Sequence, residues 1–492
     1  MGVHIGNNRL DAAKVAFEEI KEKIRIKINY WKGKGLSLKG RIRVVNTFIT
    51  SKLWYVCEIH DIPLTIKSEI NKLICDFVWE NCYHQRSYIG IQMDYSKGGL
   101  RLANIDHKIN SCRIKWISHL INNDNSGIAY FLANRLISHN KLNIGFDILK
   151  GFNEKIVNTI KNKFYKGAVR AWLKLKIIFS PSSVISIAHL NIYENILLKD
   201  DDGRVYKPPG RNRDFPKLFK QLPYPILNRR ANDAEFIRSI NRSFNSIVWH
   251  TADSYTIDLD GESTSIYNLS FRVIYWSFIN NIVIDTPWKM KWETVLGRQD
   301  IQWEDIWDNV NDNILSYKIQ SVLWSMTNLN FISSYRLHIM YNASNLCIQC
   351  NLPEEGPSHV FIFCDLSSLV YGHFDPLLRR LINTPLTIDE KAFGLPVEGN
   401  EPSQKKVRLR NYLLACIKSV LFNNRALISD QTLQAKSYTL ISKIKHLITK
   451  SITQKYIISK ILRTVDKFKS LFLIEGIIVS LTNNDDSLVF NF

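Results

Sequence analysis

The sequence predicts a mainly α-helical protein with one small β-hairpin and one Cys-Cys-His-Cys metal site. Three observations support this prediction. Apolar residues recur every three to four positions through the first 120 residues and again after residue 406, which is the period of amphipathic helices. The segment "SYTIDLDGESTSIY" alternates around Asp260-Gly261, a typical hairpin turn. The segment "CIQCNLPEEGPSHVFIFC" contains three cysteines and one histidine.

Residues 1–124 contain four predicted helices. The first begins near Asp11 and presents one apolar face as far as Trp31. Ser37 can cap the second helix, Thr65 begins the third, and Asn104 caps the fourth. This region is therefore predicted to be a helical domain.

Composition divides the rest of the chain into three parts. Residues 125–233 are interpreted as a helical connector and linker, because the stretch 199–225 is rich in proline and charge. Residues 234–382 form a tryptophan-rich region with the metal site, and residues 383–492 form a C-terminal helical basic region. Six tryptophans are expected to be core rather than a stacking platform, since tryptophan is highly buried on average. They are Trp276, Trp288, Trp292, Trp303, Trp307 and Trp324.

The charge balance points to an anionic partner. The formal net charge is +20 and the pI is about 9.4, so nucleic acid is the first candidate and a membrane surface the second. The longest apolar stretch near the end, "LFLIEGIIVSL", contains Glu475 and is too short to span a bilayer, so no membrane partner is predicted. The start shows no apolar signal region, and eight cysteines then indicate a reducing compartment. We expect an intracellular protein of the nucleus or cytoplasm.

The cysteine-rich segment has the spacing Cys347-x2-Cys350-x8-His359-x4-Cys364. Zinc takes four thiolate or imidazole donors at the corners of a tetrahedron. Because protein would fill all four positions, the predicted zinc is structural rather than catalytic. The alternative is three unrelated buried cysteines beside a chance histidine.

A basic turn follows the first predicted helix. Its glycines would let a phosphate approach the backbone, so its cations are candidate nucleic-acid contacts. The alternative is a solvated turn between helices. The candidate residues are Lys32, Lys34, Lys39, Arg41 and Arg43.

Two further basic stretches lie near the C-terminus. "KKVRLR", residues 405–410, could bind nucleic acid, act as a nuclear import signal, or simply start a helix. Residues 445–469 are predicted to form one amphipathic basic helix with very few acids.

Several of these segments together resemble a known family. "YWKGKGLSLKGRIRVVNTFITSKLWYVCEIHDIPLTIKSEINKLICDFVWEN" followed by "KGGLRLANI" resembles the segment after the polymerase core of LINE-type non-LTR retrotransposon reverse transcriptases. "IQWEDIWDNVNDNILSYKIQSVLWSMTNLNFISSYRLHI" resembles the tryptophan-rich helices of that family, and the Cys-Cys-His-Cys set follows at the spacing of its zinc knuckle, with Glu355 before His359. The resemblance implies that residues 1–124 are a thumb-like bundle beside a primer–template duplex.

The resemblance does not extend to catalytic residues. Reverse transcription needs three converging carboxylates that hold divalent metals. Adjacent aspartates occur only at 200–202 and at Asp485-Asp486, the second of which is interpreted as a solvated C-terminal turn. The chain opens with the thumb-like helices and carries no palm before them, so we expect no catalytic residues and no polymerase activity from it alone.

These observations together predict RNA or DNA binding by the non-polymerase, C-terminal part of a retrotransposon reverse transcriptase. Two alternatives remain open. One is a zinc-stabilised protein-interaction scaffold in which the charge is incidental. The other is an accessory portion of an RNA-directed DNA polymerase that acts with a separate polypeptide carrying the palm.

Overall fold

The structure is a computed structural model. It describes residues 9–58, 60–80, 86–122, 132–133, 136, 157–158, 160–179, 256–259, 262–265, 269–284, 286–353, 356, 358–426, 431–482 and 487–492. Most of the predicted linker, both runs of adjacent aspartates and Glu355 lie outside the described residues.

The described part of the chain is mainly helical. Its helices, in chain order, are α1 (Arg9–Lys32), α2 (Leu38–Val44), α3 (Ser51–Cys57), α4 (Leu64–Val78), α5 (Tyr88–Gln92), α6 (Ile105–Asn122), α7 (Lys163–Phe179), α8 (Phe271–Asn280), α9 (Pro287–Leu296), α10 (Trp303–Asn311), α11 (Tyr317–Thr327), α12 (Ser334–Tyr341), α13 (Asp365–Leu381), α14 (Ile388–Phe393), α15 (Glu401–Asn424), α16 (Leu433–Ile461) and α17 (Val465–Phe472). Two short π-helical turns occur at Val45–Ile49 and His359–Phe363. Among these residues, no helix is both long enough and apolar enough to cross a bilayer.

In the part of the chain that the structure describes, two antiparallel strand pairs accompany the helices. Strands β1 (Thr256–Leu259) and β2 (Glu262–Ser265) pair from Thr256 opposite Ser265 to Leu259 opposite Glu262, which confirms the predicted hairpin. Strands β3 (Val479–Leu481) and β4 (Leu488–Phe490) also pair, on either side of the position where the sequence predicts a solvated turn. The predicted basic helix over 445–469 is split between α16 and α17 rather than continuous, with Arg463 in the left-handed region (φ 55°) at the break.

The described residues divide into two compact units. Unit 1 takes its described residues from Met1–Lys27, Thr47–Lys72 and Ala103–Val283, and unit 2 from Ile28–Asn46, Leu73–Leu102 and Ile284–Phe492. Unit 2 therefore combines parts of the first 124 residues with the C-terminal part of the chain. The continuous four-part division of the sequence stays a prediction.

Unit 1 is built around α6, which packs against α7 and α8. The predicted cap of this helix forms, since Asn104 Oδ1 accepts a hydrogen bond from His107 N at 2.9 Å. The backbone N–H of Asn104 donates to the hydroxyl of Tyr275 in α8 at 3.0 Å. The His107 ring stacks on Phe278 with 5.4 Å between centroids, which fixes α8 over the start of α6.

Unit 2 has a tryptophan-rich core around α11, which packs against α2, α10 and α15. Trp288, Trp292, Trp307 and Trp324 are buried, which confirms for these four the prediction that the cluster builds core. Trp288 meets Trp307 edge-on with ring centroids 5.3 Å apart. The Trp292 indole donates to the carbonyl of Thr327 at 2.8 Å, so a polar group of the core is satisfied by the end of α11.

The "KGGL" stretch is tied into this core. Gly98 adopts φ 71°, which L-residues rarely adopt, and its carbonyl accepts a hydrogen bond from the Trp324 indole at 2.9 Å. A Cβ at Gly98 would lie 2.5 Å from the Trp307 ring. A Cβ at Gly99 would lie 2.0 Å from the carbonyl oxygen of Met93. Both positions therefore require glycine for close packing.

A buried charged network joins α14 and α15 in unit 2. Arg410 is fully buried and donates to the Glu390 carboxylate at 2.6 Å and to the carbonyl of Leu378 at 3.1 Å. Lys418 donates to the carbonyl of Ala392 at 3.0 Å. Burial lowers the pKa of Lys418 from 10.5 to about 7, because desolvation disfavours the ammonium form.

Candidate functional site

The first half of the candidate metal site is a tight turn after α12. The helix ends at Asn342, which adopts the left-handed conformation (φ 51°). Leu346 and Pro353 then form an isolated antiparallel bridge. Within it, Cys347 N donates to the carbonyl of Leu352 at 2.8 Å, which closes the turn that contains Cys350.

The second half of the site is the π-helical turn His359–Phe363. Its closing hydrogen bond runs from Cys364 N to the carbonyl of His359 at 2.8 Å. In an α-helix five residues cover about 1.4 turns, so the two side chains would diverge. The wider π turn, which closes over five residues, instead brings His359 and Cys364 to one side. Because the turn is a π turn, two possible ligands that are five residues apart lie on the same side of the chain.

The four candidate ligands are brought together. One ligand atom from each of Cys347, Cys350, His359 and Cys364 lies within 4.8 Å of all the others. Cys350 Sγ is 3.2 Å from His359 Nε2. Cys347, His359 and Cys364 are buried and Cys350 is half-buried, so the cluster is largely screened from water.

Local hydrogen bonds favour a thiolate at Cys347. The pKa of this thiol is lowered to about 3, first by the hydrogen bond from the Cys364 thiol and further by His359 and the backbone N–H groups of Cys350 and Gln349. The pKa of Cys364 is raised, because its thiol is held as the donor to Cys347. The thiolate is the form of cysteine that binds metals, so a lowered pKa at Cys347 favours metal binding.

Aromatic packing holds the π turn in place. Phe361, fully buried, stacks on Phe422 of α15 with ring centroids 6.2 Å apart and an interplanar angle of 11°. It also meets Phe331 edge-on at 5.5 Å. On the other half of the site, Gln349 Nε2 donates to the carbonyl of Asn424 at 3.1 Å. Both halves therefore rest on the C-terminal end of α15, which fixes their separation.

The donor set suits a borderline-soft cation. Three sulfurs and one imidazole nitrogen are the donor types that zinc prefers in closed, four-coordinate sites, so these residues could hold a metal ion. The sequence identified all four residues by spacing. The sequence did not predict the π turn, which brings His359 and Cys364 to the same side.

Comparison of the chain with protein-family models and with curated proteins finds no match.

The predicted basic turn places its five cations in two different environments. Lys32, Lys34 and Arg43 are exposed, and among the described residues none of them pairs with a carboxylate. Lys39 is buried: its Nζ donates to Asn311 Oδ1 at 2.8 Å. Arg41 donates to the carbonyls of Leu36 and Val78, each at 2.8 Å, and pairs with Glu80.

These contacts separate the exposed cations from the structural ones. Desolvation lowers the pKa of Lys39 to about 8, as expected for an ammonium group inside the fold. The prediction of nucleic-acid contacts for the whole set stays a prediction. The side chains on the surface are Lys32, Lys34 and Arg43.

The basic "KKVRLR" stretch is committed to the fold. Its four cations lie on α15, and each is paired with a carboxylate of unit 2. The pairs are Lys405 with Glu401, Lys406 with Glu475, Arg408 with Asp312 and Arg410 with Glu390. The sequence allows three interpretations of this stretch: nucleic-acid binding, a nuclear import signal or the start of a helix. The ion pairs favour the start of a helix over a free basic surface.

Proposed function

We propose that Cys347, Cys350, His359 and Cys364 hold one zinc ion as a structural centre. The observation that carries this proposal is the convergence of four ligand atoms to within 4.8 Å of one another. All four donors come from the chain, which leaves no position for a substrate. Zinc would replace the thiol–thiol and thiol–imidazole contacts and lock the turn after α12 to the π turn.

For the protein as a whole, nucleic-acid binding is the function that the observations support best. The net charge of +20 favours association with a polyanion. The exposed cations Lys32, Lys34 and Arg43, which form no ion pair among the described residues, offer contacts to phosphates. The proposed ligand is RNA or DNA.

The resemblance to LINE-type reverse transcriptases supports the same function. On that basis the chain would be the non-polymerase, C-terminal part of such an enzyme. It would bind nucleic acid without catalysing polymerisation by itself, or would work beside a polypeptide that carries the palm. The order of the shared segments in the sequence is the support for this proposal.

A protein-interaction scaffold is the second candidate, favoured by one surface. On α12, Ile339, Met340 and Tyr341 are 64%, 53% and 71% exposed, immediately before the candidate metal turn. Apolar side chains grouped on a surface can mark a contact with another protein. In this case zinc would stabilise the segment that presents α12, and the positive charge would be incidental.

A salt series separates the two candidates. Binding of labelled RNA and DNA is measured by fluorescence anisotropy for the natural sequence and for a triple variant, Lys32→Ala, Lys34→Ala and Arg43→Ala. Three lost phosphate contacts should lower the slope of log K against log [salt] by about 2.1 for single strands or about 2.7 for duplex.

The matched control removes the same charges elsewhere in unit 2. Lys291, Arg380 and Lys467 are exposed, and among the described residues they form no ion pair, so they can be replaced by alanine without breaking a described contact. A larger loss of binding in the first triple variant supports a dedicated surface. Equal losses in both variants indicate diffuse attraction, and the scaffold then becomes the better account.

A further inference from the structure

A groove of about 540 Å³ lies within unit 2. Three segments that are distant in sequence form its walls: the turn from Gly35 to Gly40, the start of α11 from Ser316 to Ile319, and the middle of α16 from Leu447 to Gln454. The first wall belongs to the basic turn that contains Lys32 and Lys34. The third wall lies within the basic stretch 445–469, and the second wall carries no feature that the sequence marked as a site.

The side chains that line the groove suit a ligand with a negatively charged backbone. Lys318 and Lys450 are exposed lining residues, and among the described residues neither pairs with a carboxylate. None of the described lining residues is acidic. Ser451 adds a hydroxyl to the α16 wall, while Leu36 and Leu447 make part of the lining apolar. A ligand with negative charge and a flat apolar part would complement this combination.

The ring of Tyr317 offers a surface on which a flat apolar part of the ligand could stack. Tyr317, the first residue of α11, lines the groove and is 47% exposed. Lys39 is not a lining residue, but its Nζ lies 6.0 Å from the centre of the Tyr317 ring and 4.4 Å from that of Tyr95. This buried ammonium donates to Asn311 and adds positive charge close to the Tyr317 ring.

We propose that this groove binds a single-stranded segment of RNA or DNA, with a phosphate between Lys318 and Lys450 and a base against Tyr317. Grooves that track a single strand combine cations for the backbone with aromatic rings for the bases. The concave groove has the volume of a small-ligand pocket, which fits one nucleotide unit rather than the convex surface of a duplex. The assignment rests on the proposed nucleic-acid-binding function and locates it.

The test uses the full chain and a fluorescein-labelled oligouridylate of about twelve nucleotides, within the range of single-strand site sizes. Replacing Lys318 and Lys450 by alanine should lower the slope of log K against log [salt] by about 1.4, because each single-strand phosphate contact contributes about 0.7. Tyr317→Ala should weaken binding by about 5- to 150-fold, the range for loss of one stacked base, and Tyr317→Phe should retain it.

Two controls make the outcomes distinct. The matched charge control is Lys291→Ala with Lys467→Ala, two exposed residues outside the groove. Thermal melting of every variant checks folding, which the exposed positions should preserve. If the natural sequence binds the oligonucleotide but the groove variants behave like the control, the groove assignment is wrong and the proposed function stands. If the natural sequence binds neither the single-stranded oligonucleotide nor a duplex at low salt, the proposed nucleic-acid-binding function itself is wrong.

A duplex of the same length provides the last comparison. The groove variants should lose more affinity for the single strand than for the duplex. Equal losses for both would overturn the assignment of a single-stranded ligand.

Discussion

Replacing Gly98 by alanine should destabilise unit 2 through two separate effects. Gly98 adopts φ 71°, and an L-residue in the left-handed conformation costs about 1–2 kcal/mol. A Cβ there would also lie 2.5 Å from the Trp307 ring, and overpacking a close-packed core typically costs about 1–3 kcal/mol. The free energy of unfolding should therefore fall by about 2–5 kcal/mol.

Gly297 is the matched control for the backbone effect. It adopts nearly the same conformation (φ 67°), but a Cβ built there meets nothing within 4 Å. Gly297→Ala should show the conformational cost alone, so the difference between the two variants isolates the contact with Trp307. Urea denaturation followed by tryptophan fluorescence measures both. Equal losses in the two variants would refute the placement of Gly98 against Trp307.

Two further predictions concern charge and metal. Between pH 7.5 and 9.5, the folded chain has released the Lys418 proton, because the pKa of this group is about 7, while the unfolded chain keeps the proton to about pH 10. The free energy of unfolding should therefore rise with pH more steeply in the natural sequence than in Lys418→Met, by about 1.4 kcal/mol per pH unit. Denaturation at several pH values measures this difference, and parallel profiles would contradict it. If the proposed zinc is bound, treatment with a chelator should expose the segment from Cys347 to Cys364 to limited proteolysis before α6. Equal cleavage with and without chelator would argue against a metal that stabilises this segment.

Local patterns predicted much of the secondary structure. The expected caps form where the sequence placed them, since Ser37 Oγ accepts from Gly40 N at 3.2 Å and Asn104 Oδ1 from His107 N at 2.9 Å. These caps depend on residues three positions apart, so a short window contains all the information. The break between α16 and α17 was missed, because the apolar period continues across it.

Local sequence patterns do not predict contacts between residues that are distant in sequence. The sequence grouped Lys39 and Arg41 with the exposed cations of the basic turn, but Lys39 meets Asn311, which is 272 positions away. Arg41 meets the end of α4 at Val78. No pattern within a short window distinguishes a cation that turns inward from one that faces solvent. The same reason hides the groove, whose three walls come from distant segments.

The candidate metal site was predicted in its residues but not in its mechanism of assembly. Donor types and spacing identified Cys347, Cys350, His359 and Cys364. Their convergence depends on a π turn and on contacts with Phe422 and Asn424 at the end of α15. Spacing rules assume common turn geometries and do not reveal which helix type the chain adopts.

The most direct test of the central proposal is the metal content of the purified chain by native mass spectrometry. We expect about one zinc per chain in the natural sequence, because a single four-ligand site holds one ion, and loss of that zinc in Cys350→Ser. Cys416→Ser is the control, because this buried cysteine lies outside the cluster and should leave the zinc in place. Absence of zinc from the natural sequence, with Cys347 and Cys364 freely alkylated in the folded protein, would contradict the proposed zinc centre.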